Sequence, residues 1–360
     1  MTYGEFISEW RNESPFCCVH TSGSTGRPKL IRLPKCLMER SAWRTLHHFG
    51  LSASSRLHSC ISPDFIGGKM QAVRAEVSGA RLTWETPSNR PAIISSSPEI
   101  IESLESCNGE ASMLSEWPDL ISVVPSQMLH ILDTFEQIPD SVAWLIGGQA
   151  IPPQLRRRIA ERGLNAWESY GMTETASHIA LRRVREVDAE GFFTPLEGIG
   201  LSLDPRGCLV IDQGEAMPVV TNDVATLQAN GGFRILGRAD NVIISGGKKI
   251  HPEEVERQLQ PLLAPLGITD VMLTSTPDPK WGERLVLLAE MPTYISAPAD
   301  DTPSLLSAFK ALPATDRPDF IRALLRDHLP AHHLPKEIHL LPTLPRTPNG
   351  KLRRHQPAPR

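Results

Sequence analysis

FCCVHTSGSTGRPK, Phe16 to Lys29, is the stretch that sets the fold. Phe16–His20 is a short apolar run between Pro15 and a cluster of Ser, Gly and Thr, the pattern of a buried strand entering a loop. The loop carries hydroxyls on Thr21, Ser22, Ser24 and Thr25, glycines at 23 and 26, and an ammonium at Lys29. Glycines permit the backbone turns that aim N–H groups inward, and the hydroxyls and ammonium add donors, so the loop suits a polyphosphate. It is not a G-x-x-x-x-G-K-[ST] loop: Gly23 and Gly26 are too close, and Leu30 follows Lys29. Read alone, GSTG is equally a flexible turn.

Outward from this loop, strands and helices alternate. Pro34–His48 reads as a helix, Ile121–Val124 as a strand, Ser126–Phe135 as a helix opened by Pro125, and Val142–Ile146 as a strand ending at Gly147 and Gly148. Pro152–Arg162 reads as a helix ended by Gly163, with Arg156–Arg158 on a solvated face, and Trp167–Tyr170 as a further strand. That alternation over residues 16–180 predicts an α/β core. Residues 190–237 change to short alternating stretches between Gly, Asp and Asn turns, an antiparallel β region. Beyond Arg238 the texture changes again: strands Val242–Ser245, Asp270–Ser275 and Arg284–Glu290, and helices Pro252–Leu263 and Pro318–Leu329. The expected fold is therefore α/β: a large N-terminal domain over 1–237 with mixed β-sheets flanked by helices, a junction at 238–241, and a small α+β domain over 242–360.

The 360 residues carry a net charge of −4, which gives no electrostatic case for nucleic acid as a partner. An anionic substrate must be met by a few placed cations. No apolar run is long enough for a transmembrane helix, and MTYGEFISEWRNESPF lacks the apolar core of a signal peptide. The six cysteines show neither zinc spacing nor a disulfide framework, as expected of thiols in a cytoplasmic protein.

Three further segments carry chemistry. In ESYGMTETAS (Glu168–Ser177), Tyr170 can stack on a base, Gly171 allows close backbone approach, Thr173 can donate to a phosphate oxygen and Glu174 can hold a hard cation; alone, the segment is equally a helix start. VTND (Val220–Asp223) and GRADNVIISGGKKIHPEEVE (Gly237–Glu256) offer Asp223 and Arg238 to ribose hydroxyls and a flexible turn at Gly246–Gly247. In LPRTPNGKLRR (Leu344–Arg354) the Asn349–Gly350 turn presents Lys351, which can offset charge in a phosphoryl or acyl-phosphate transition state.

In order and separation these four segments resemble the adenylate-forming superfamily of acyl- and aryl-CoA synthetases. ISVVPSQMLHIL (121–132), LIGGQAIPPQLRRRI (145–159), YGMTETASHIA (170–180) and the 237–256 stretch resemble most its o-succinylbenzoate–CoA ligases of menaquinone biosynthesis. The resemblance covers Phe16 to Arg354. It implies ATP, Mg²⁺ and coenzyme A as cosubstrates and cofactor. Thr21, Ser22, Gly23, Ser24, Thr25, Gly26 and Lys29 would wrap the β- and γ-phosphates. Gly147, Gly148 and Gln149 would line the adenine and acyl pockets, with Ser169, Tyr170, Gly171 and Met172 in the nucleotide segment. Thr173 would touch the α-phosphate, Glu174 would hold the metal, and Asp223 and Arg238 would bind ribose. Lys351 would act in adenylation. Asp240 would be the hinge of a mobile C-terminal lid that brings Gly246–Gly247 in for the thiol.

Two departures stand out. Family members usually carry a substantial subdomain before the phosphate loop, so this chain reads as a shortened form, with a homodimer covering the exposed core. Ser62-Pro63-Asp64-Phe65 replaces an aromatic or His-bearing gate, with Lys69 near enough to offset Asp64; His178 is a lesser candidate to meet a carboxylate. Another acid, a separate carrier-protein thiol, or a nucleotide-binding protein without catalysis remain alternatives to o-succinylbenzoate and coenzyme A.

Overall fold

A computed structural model describes residues 1–20, 29–93, 105–106, 117–185, 191–214, 217–292, 305–346 and 352–354. They gather into two compact units: Met1–Ser202, Val210–Val219 and Leu227–Arg234 in the first, Leu203–Leu209, Val220–Thr226 and Ile235–Arg360 in the second.

The first unit begins with α1 (Tyr3–Arg11), a hairpin of β1 (Phe16–His20) and β2 (Leu30–Pro34), and α2 (Lys35–Phe49). β3 (Arg56–Ser59), α3 (Ile66–Ser78), β4 (Arg81–Trp84), β5 (Glu105–Ser106), β6 (Leu120–Val123), α4 (Pro125–Thr134), β7 (Ala143–Ile146), α5 (Pro153–Glu161), β8 (Ala166–Met172), β9 (Ser177–Arg183) and β10 (Thr194–Pro195) follow. Strands β3 to β10 form one sheet in the order β10-β9-β8-β7-β6-β3-β4-β5. Its middle is parallel, from β4 through β3, β6 and β7 to β8; β9 and β10 add antiparallel at one end. Every residue of β6 and β7 is buried, as parallel strands covered on both faces require. Residues of α1, α2 and α3, among them Phe6, Met38 and Val73, build the core on one face. Residues of α4 and α5, among them Met128, Ile131 and Ile159, build it on the other.

Helix α1 was not anticipated from the sequence. Thr2 and Glu5 close a reciprocal capping box, and Tyr3, Phe6, Ile7 and Trp10 recur at helical spacing on the buried face. From the middle of the sheet the chain runs outward both ways, β3 to β4 on one side and β6 to β7 to β8 on the other. Open α/β sheets bind ligands at such a switch point, outside the carboxyl ends of the strands.

Strands β11 (Gly200–Leu203), β12 (Cys208–Asp212), β13 (Val219–Leu227) and β14 (Phe233–Arg238) form the β region expected over 190–237, and this sheet contributes residues to both units. The remaining elements are β15 (Ile243–Ser245), β16 (Lys248–Ile250), α6 (Pro252–Leu263), β17 (Asp270–Asp278), β18 (Gly282–Glu290), α7 (Leu305–Ala311), α8 (Arg317–Arg326) and β19 (Glu337–Leu341). They make a sheet β16-β15-β18-β17 with β19 parallel to β18, over a core that includes Val255, Leu259, Leu287, Phe309 and Ile321. The fold class is thus mixed α/β, as expected. Among the described residues no helix is long and apolar enough to cross a membrane.

Candidate active site

The carboxyl ends of β7 and β8 carry most of the nucleotide residues anticipated in the first unit. Gly147, Gly148 and Gln149 follow β7 directly, and Ser169 to Met172 close β8 before a 3₁₀ turn at Thr173–Thr175. Ser169 Oγ donates to the Ile146 carbonyl at 3.1 Å and lies where a side chain on Gly147 would sit. Gly148 has φ +85°, a conformation that favours glycine. The Tyr170 ring packs at 5.7 Å from Phe193 and 5.2 Å from Phe233, which fixes its plane. At Gly171 the β8–β9 register shifts, and a Cβ there would fall 2.2 Å from the Ser177 carbonyl oxygen. The glycine is therefore required by the strand crossing behind it.

The turn that bears Thr173 and Glu174 is held rigidly. Thr175 Oγ1 accepts from Met172 N at 3.0 Å and lies 2.7 Å from the Ser177 carbonyl, while Ser41 of α2 donates to the Ala176 carbonyl at 2.7 Å. Ala176 and Ser177 take φ of 52° and 84°, left-handed values that cost side-chain-bearing residues energy. These bonds hold that strain in place and leave the Glu174 carboxylate exposed. Strand β2 lies beside this turn and Lys29 immediately precedes it, so the two ends of the hairpin loop are set near Thr173 and Glu174. Thr21, Ser22, Gly23, Ser24, Thr25 and Gly26 lie outside the described residues, as does Lys351.

Behind this edge stands a buried network that sequence reasoning missed. Glu168 on β8 is 2% exposed and bonds Arg156 of α5 and Arg182 of β9, the latter at 2.6 Å. Its other oxygen accepts from Ile151 N at 3.1 Å, which anchors the Gly147–Gln149 loop. Burial by itself would raise this carboxyl; the charges and hydrogen bonds of Arg182 and Arg156 overcome it and hold the group below its usual value. Arg156 is thus buried, which corrects the reading of Arg156–Arg158 as a solvated face. A helical wheel sets Arg156 about 60° from Ile159, at the margin of the apolar face that Leu155 and Ile159 make.

His178, the lesser candidate, is buried against Thr45 Oγ1 (3.1 Å) and Arg74; burial, then Arg74, push its imidazole well below its usual value. Lys69 is likewise buried, against Glu9 at 3.8 Å and the Phe6 ring; the Asp64 carboxyl is held below its usual value first by the hydrogen bonds of the N-terminal ammonium and Ser62, with the Lys69 charge adding to them. Arg74 is 1% exposed; its described partners are Gln71 Oε1 at 2.9 Å and the His178 ring, both neutral, and its Nε has none. Burial pushes this guanidinium down to about 9.

In the second unit Arg238 bridges Asp223 and Asp240, each at 3.2 Å, and Asn222 donates to Asp240 at 3.2 Å. The two expected ribose residues and the expected hinge residue are therefore one linked cluster. Gly246 and Gly247 have φ of 56° and 74°. Gly246 N donates to the Trp281 carbonyl at 2.8 Å, and a Cβ on Gly246 would fall 2.9 Å from the Trp281 ring. Lys280 and Lys336 set their ammonium groups 5.0 and 5.4 Å from that ring. This half-exposed aromatic surface with two cations was not read from the sequence; the Lys280-Trp281-Gly282 turn after Asp278 was its signal.

Residues 5–227 match the AMP-binding enzyme family, and the chain belongs to it. A 2-succinylbenzoate–CoA ligase of Bacillus pumilus is 25% identical over 94% of this chain and 67% of its own length. A feruloyl-CoA synthase of an Amycolatopsis species is 29% identical over 58% of this chain and 44% of its own. The chain therefore spans about two thirds of the first relative and less than half of the second. Among solved structures, an acyl-CoA synthetase (AMP-forming)/AMP-acid ligase II-like protein of Dyadobacter fermentans is 28% identical, with a TM-score of 0.57 over 97% of this chain and 90% of that one. The o-succinylbenzoate-CoA synthetase of Bacillus subtilis, in complex with its acyl-adenylate intermediate, gives a TM-score of 0.70 at 21% identity, covering 94% of this chain and 68% of that one. The fold is that of the adenylate-forming enzymes.

Proposed function

We propose that this protein is an AMP-forming acid–thiol ligase that activates o-succinylbenzoate with ATP and passes the acyl group to coenzyme A. The observation that carries the reaction class is the rigid turn at the end of β8, which sets Thr173 and Glu174 beside the strand leaving the Gly/Ser/Thr loop. Carboxylate attack on the α-phosphorus brings several anions together, so placed donors must offset their repulsion. Thr21 to Gly26 and Lys29 hold the β- and γ-phosphates, Thr173 donates to the α-phosphate, and Tyr170 offers its ring to adenine. The exposed oxygen donors of Glu174 fit a hard cation such as Mg²⁺, which when bound supplies charge neutralisation to the phosphates. Lys351 balances the carboxylate and the α-phosphate. Asp223 and Arg238 take the ribose hydroxyls.

For the second half-reaction, Asp240 is the hinge about which residues 242–360 move as a lid, exchanging Lys351 for the Gly246–Gly247 turn. The Trp281 ring, flanked by Lys280 and Lys336, fits the nucleotide and phosphates of coenzyme A by stacking and charge. Arg74 supports a diacid: a buried guanidinium with neutral described partners suits a substrate that brings a second carboxylate. Arg74→Met is expected to lower kcat/KM for o-succinylbenzoate by about 10² or more while sparing benzoate, on the scale of one lost charge pair; equal losses would remove the diacid reading.

The deciding experiment is pyrophosphate release from ATP and Mg²⁺ with o-succinylbenzoate, with and without coenzyme A, against a panel of benzoates and fatty acids. Release with o-succinylbenzoate, completed by thioester formation, is the expected result. Release with a different acid alone keeps the chemistry and replaces the substrate. Silence across the panel leaves a nucleotide-binding protein without ligase activity.

A further inference from the structure

The carboxyl ends of β3 and β4 hold a second cluster, one the ligase reaction leaves unused. His58 and Cys60 are fully buried and Glu85 is 6% exposed. One ligand atom from each lies within 4.8 Å of the other two. The register explains the convergence. Residues two apart on a strand face the same side, so His58 and Cys60 point together. Parallel pairing sets His58 opposite Thr83 and Ser59 opposite Trp84, so the next residue, Glu85, arrives beside Cys60.

The atoms that face outward are already occupied. His58 Nδ1 is 2.9 Å from Thr83 Oγ1, and Glu85 Oε2 accepts from Ala92 N at 2.7 Å. Inward are His58 Nε2, 3.4 Å from Glu85 Oε1, and the Cys60 thiol, which hydrogen-bonds to Glu85. We propose that His58, Cys60 and Glu85 form a binding site for a thiophilic divalent cation of the zinc kind.

Sulfur, imidazole nitrogen and carboxylate oxygen together are the zinc donor set, and three protein ligands leave the fourth tetrahedral position open. Hard cations such as Mg²⁺ and Ca²⁺ prefer all-oxygen sites, which separates this cluster from Glu174. Charge also balances: a thiolate and a carboxylate cancel a divalent ion, so the loaded cluster is neutral in its buried site, with one water carried in by the ion as fourth ligand. Thr83 and Ala92 N orient the imidazole and carboxylate from behind, as second-layer partners of metal ligands do. Binding forms a sulfur–metal bond and releases one proton from Cys60 to solvent. The ion would cross-link the ends of β3 and β4 and, through Ala92, the segment after β4.

The test uses the full chain, stripped with chelator and titrated with Co²⁺ and then Zn²⁺ in the absence of nucleotide. One Co²⁺ per chain is expected, with a near-ultraviolet thiolate-to-cobalt charge-transfer band, a tetrahedral visible spectrum, displacement by Zn²⁺ and a raised melting temperature. Cys60→Ser removes the band. Thr83→Val keeps all three donors but loosens His58, and is expected to weaken binding about 10–100-fold; it serves alone if Cys60→Ser does not fold. Failure to retain stoichiometric metal, a cobalt spectrum without the thiolate band, or affinity unchanged by these substitutions overturns the site. None of these outcomes bears on pyrophosphate release, so the ligase reading stands or falls separately.

Discussion

At the scale of single residues, Glu168 shows how much of the site depends on one buried charge. It joins β8 to α5, to β9 and to the loop after β7. Glu168→Gln keeps the shape but leaves two guanidiniums without their counter-charge; an expected loss of about 3–5 kcal/mol would be read from urea unfolding. The pH sign follows from the depressed carboxyl. Its stabilisation is fully present above the unfolded carboxyl value and is lost as pH falls through the lower folded value. The wild-type chain should therefore lose stability in acid more steeply than Glu168→Gln; parallel acid titration curves for the two would remove Glu168 from this role.

At the scale of elements, α1 and α3 differ in how they can be read. The apolar positions of α1 recur at helical spacing behind a capping box, and its aromatic side chains fill the core against α3. Phe6 is 0% exposed within this core, so Phe6→Ala should cost about 3–5 kcal/mol by chemical denaturation. A change under 1 kcal/mol would show that α1 docks only loosely. Helix α3 was not recognised in the sequence because Gly68 to Ala75 are all buried, including Lys69, Gln71 and Arg74. A helix enclosed on every side has no polar stripe to mark its period. Its Gly67-Gly68 start also reads as a turn, whereas Gly68 lets the helix approach the Ser62 backbone, where a Cβ would fall 2.3 Å from the carbonyl oxygen. The short strands β3 and β4 were missed too, for they carry polar residues such as His58 and Thr83 into the interior.

At the scale of the whole molecule, the two half-reactions proposed for this site would require two sets of residues, and single substitutions should separate them. Lys351→Ala is expected to cut adenylation by about 10²–10³ while sparing thioester formation from preformed acyl-adenylate. Gly246→Leu should do the reverse, because a side chain at φ +56° would also press into the Trp281 ring. Single-turnover assays of each half-reaction read the difference; equal losses in both would refute the exchange of lid residues.

The sequence by itself determined the family and the α/β class, and it marked the segments proposed to hold the nucleotide. Each of those signals is local: a Gly/Ser/Thr loop after an apolar strand, a Tyr-Gly-Met-Thr-Glu turn, a proline or glycine at an element's end. Only the tertiary structure decided which charges are buried and what they meet. Glu168 with Arg182, Arg74 with His178, and His58 and Cys60 with Glu85 are partners separated by 14 to 104 positions in the chain. Their juxtaposition follows from strand order and register, which are fixed by burying both faces of the central sheet and not by the residues on either side of each group.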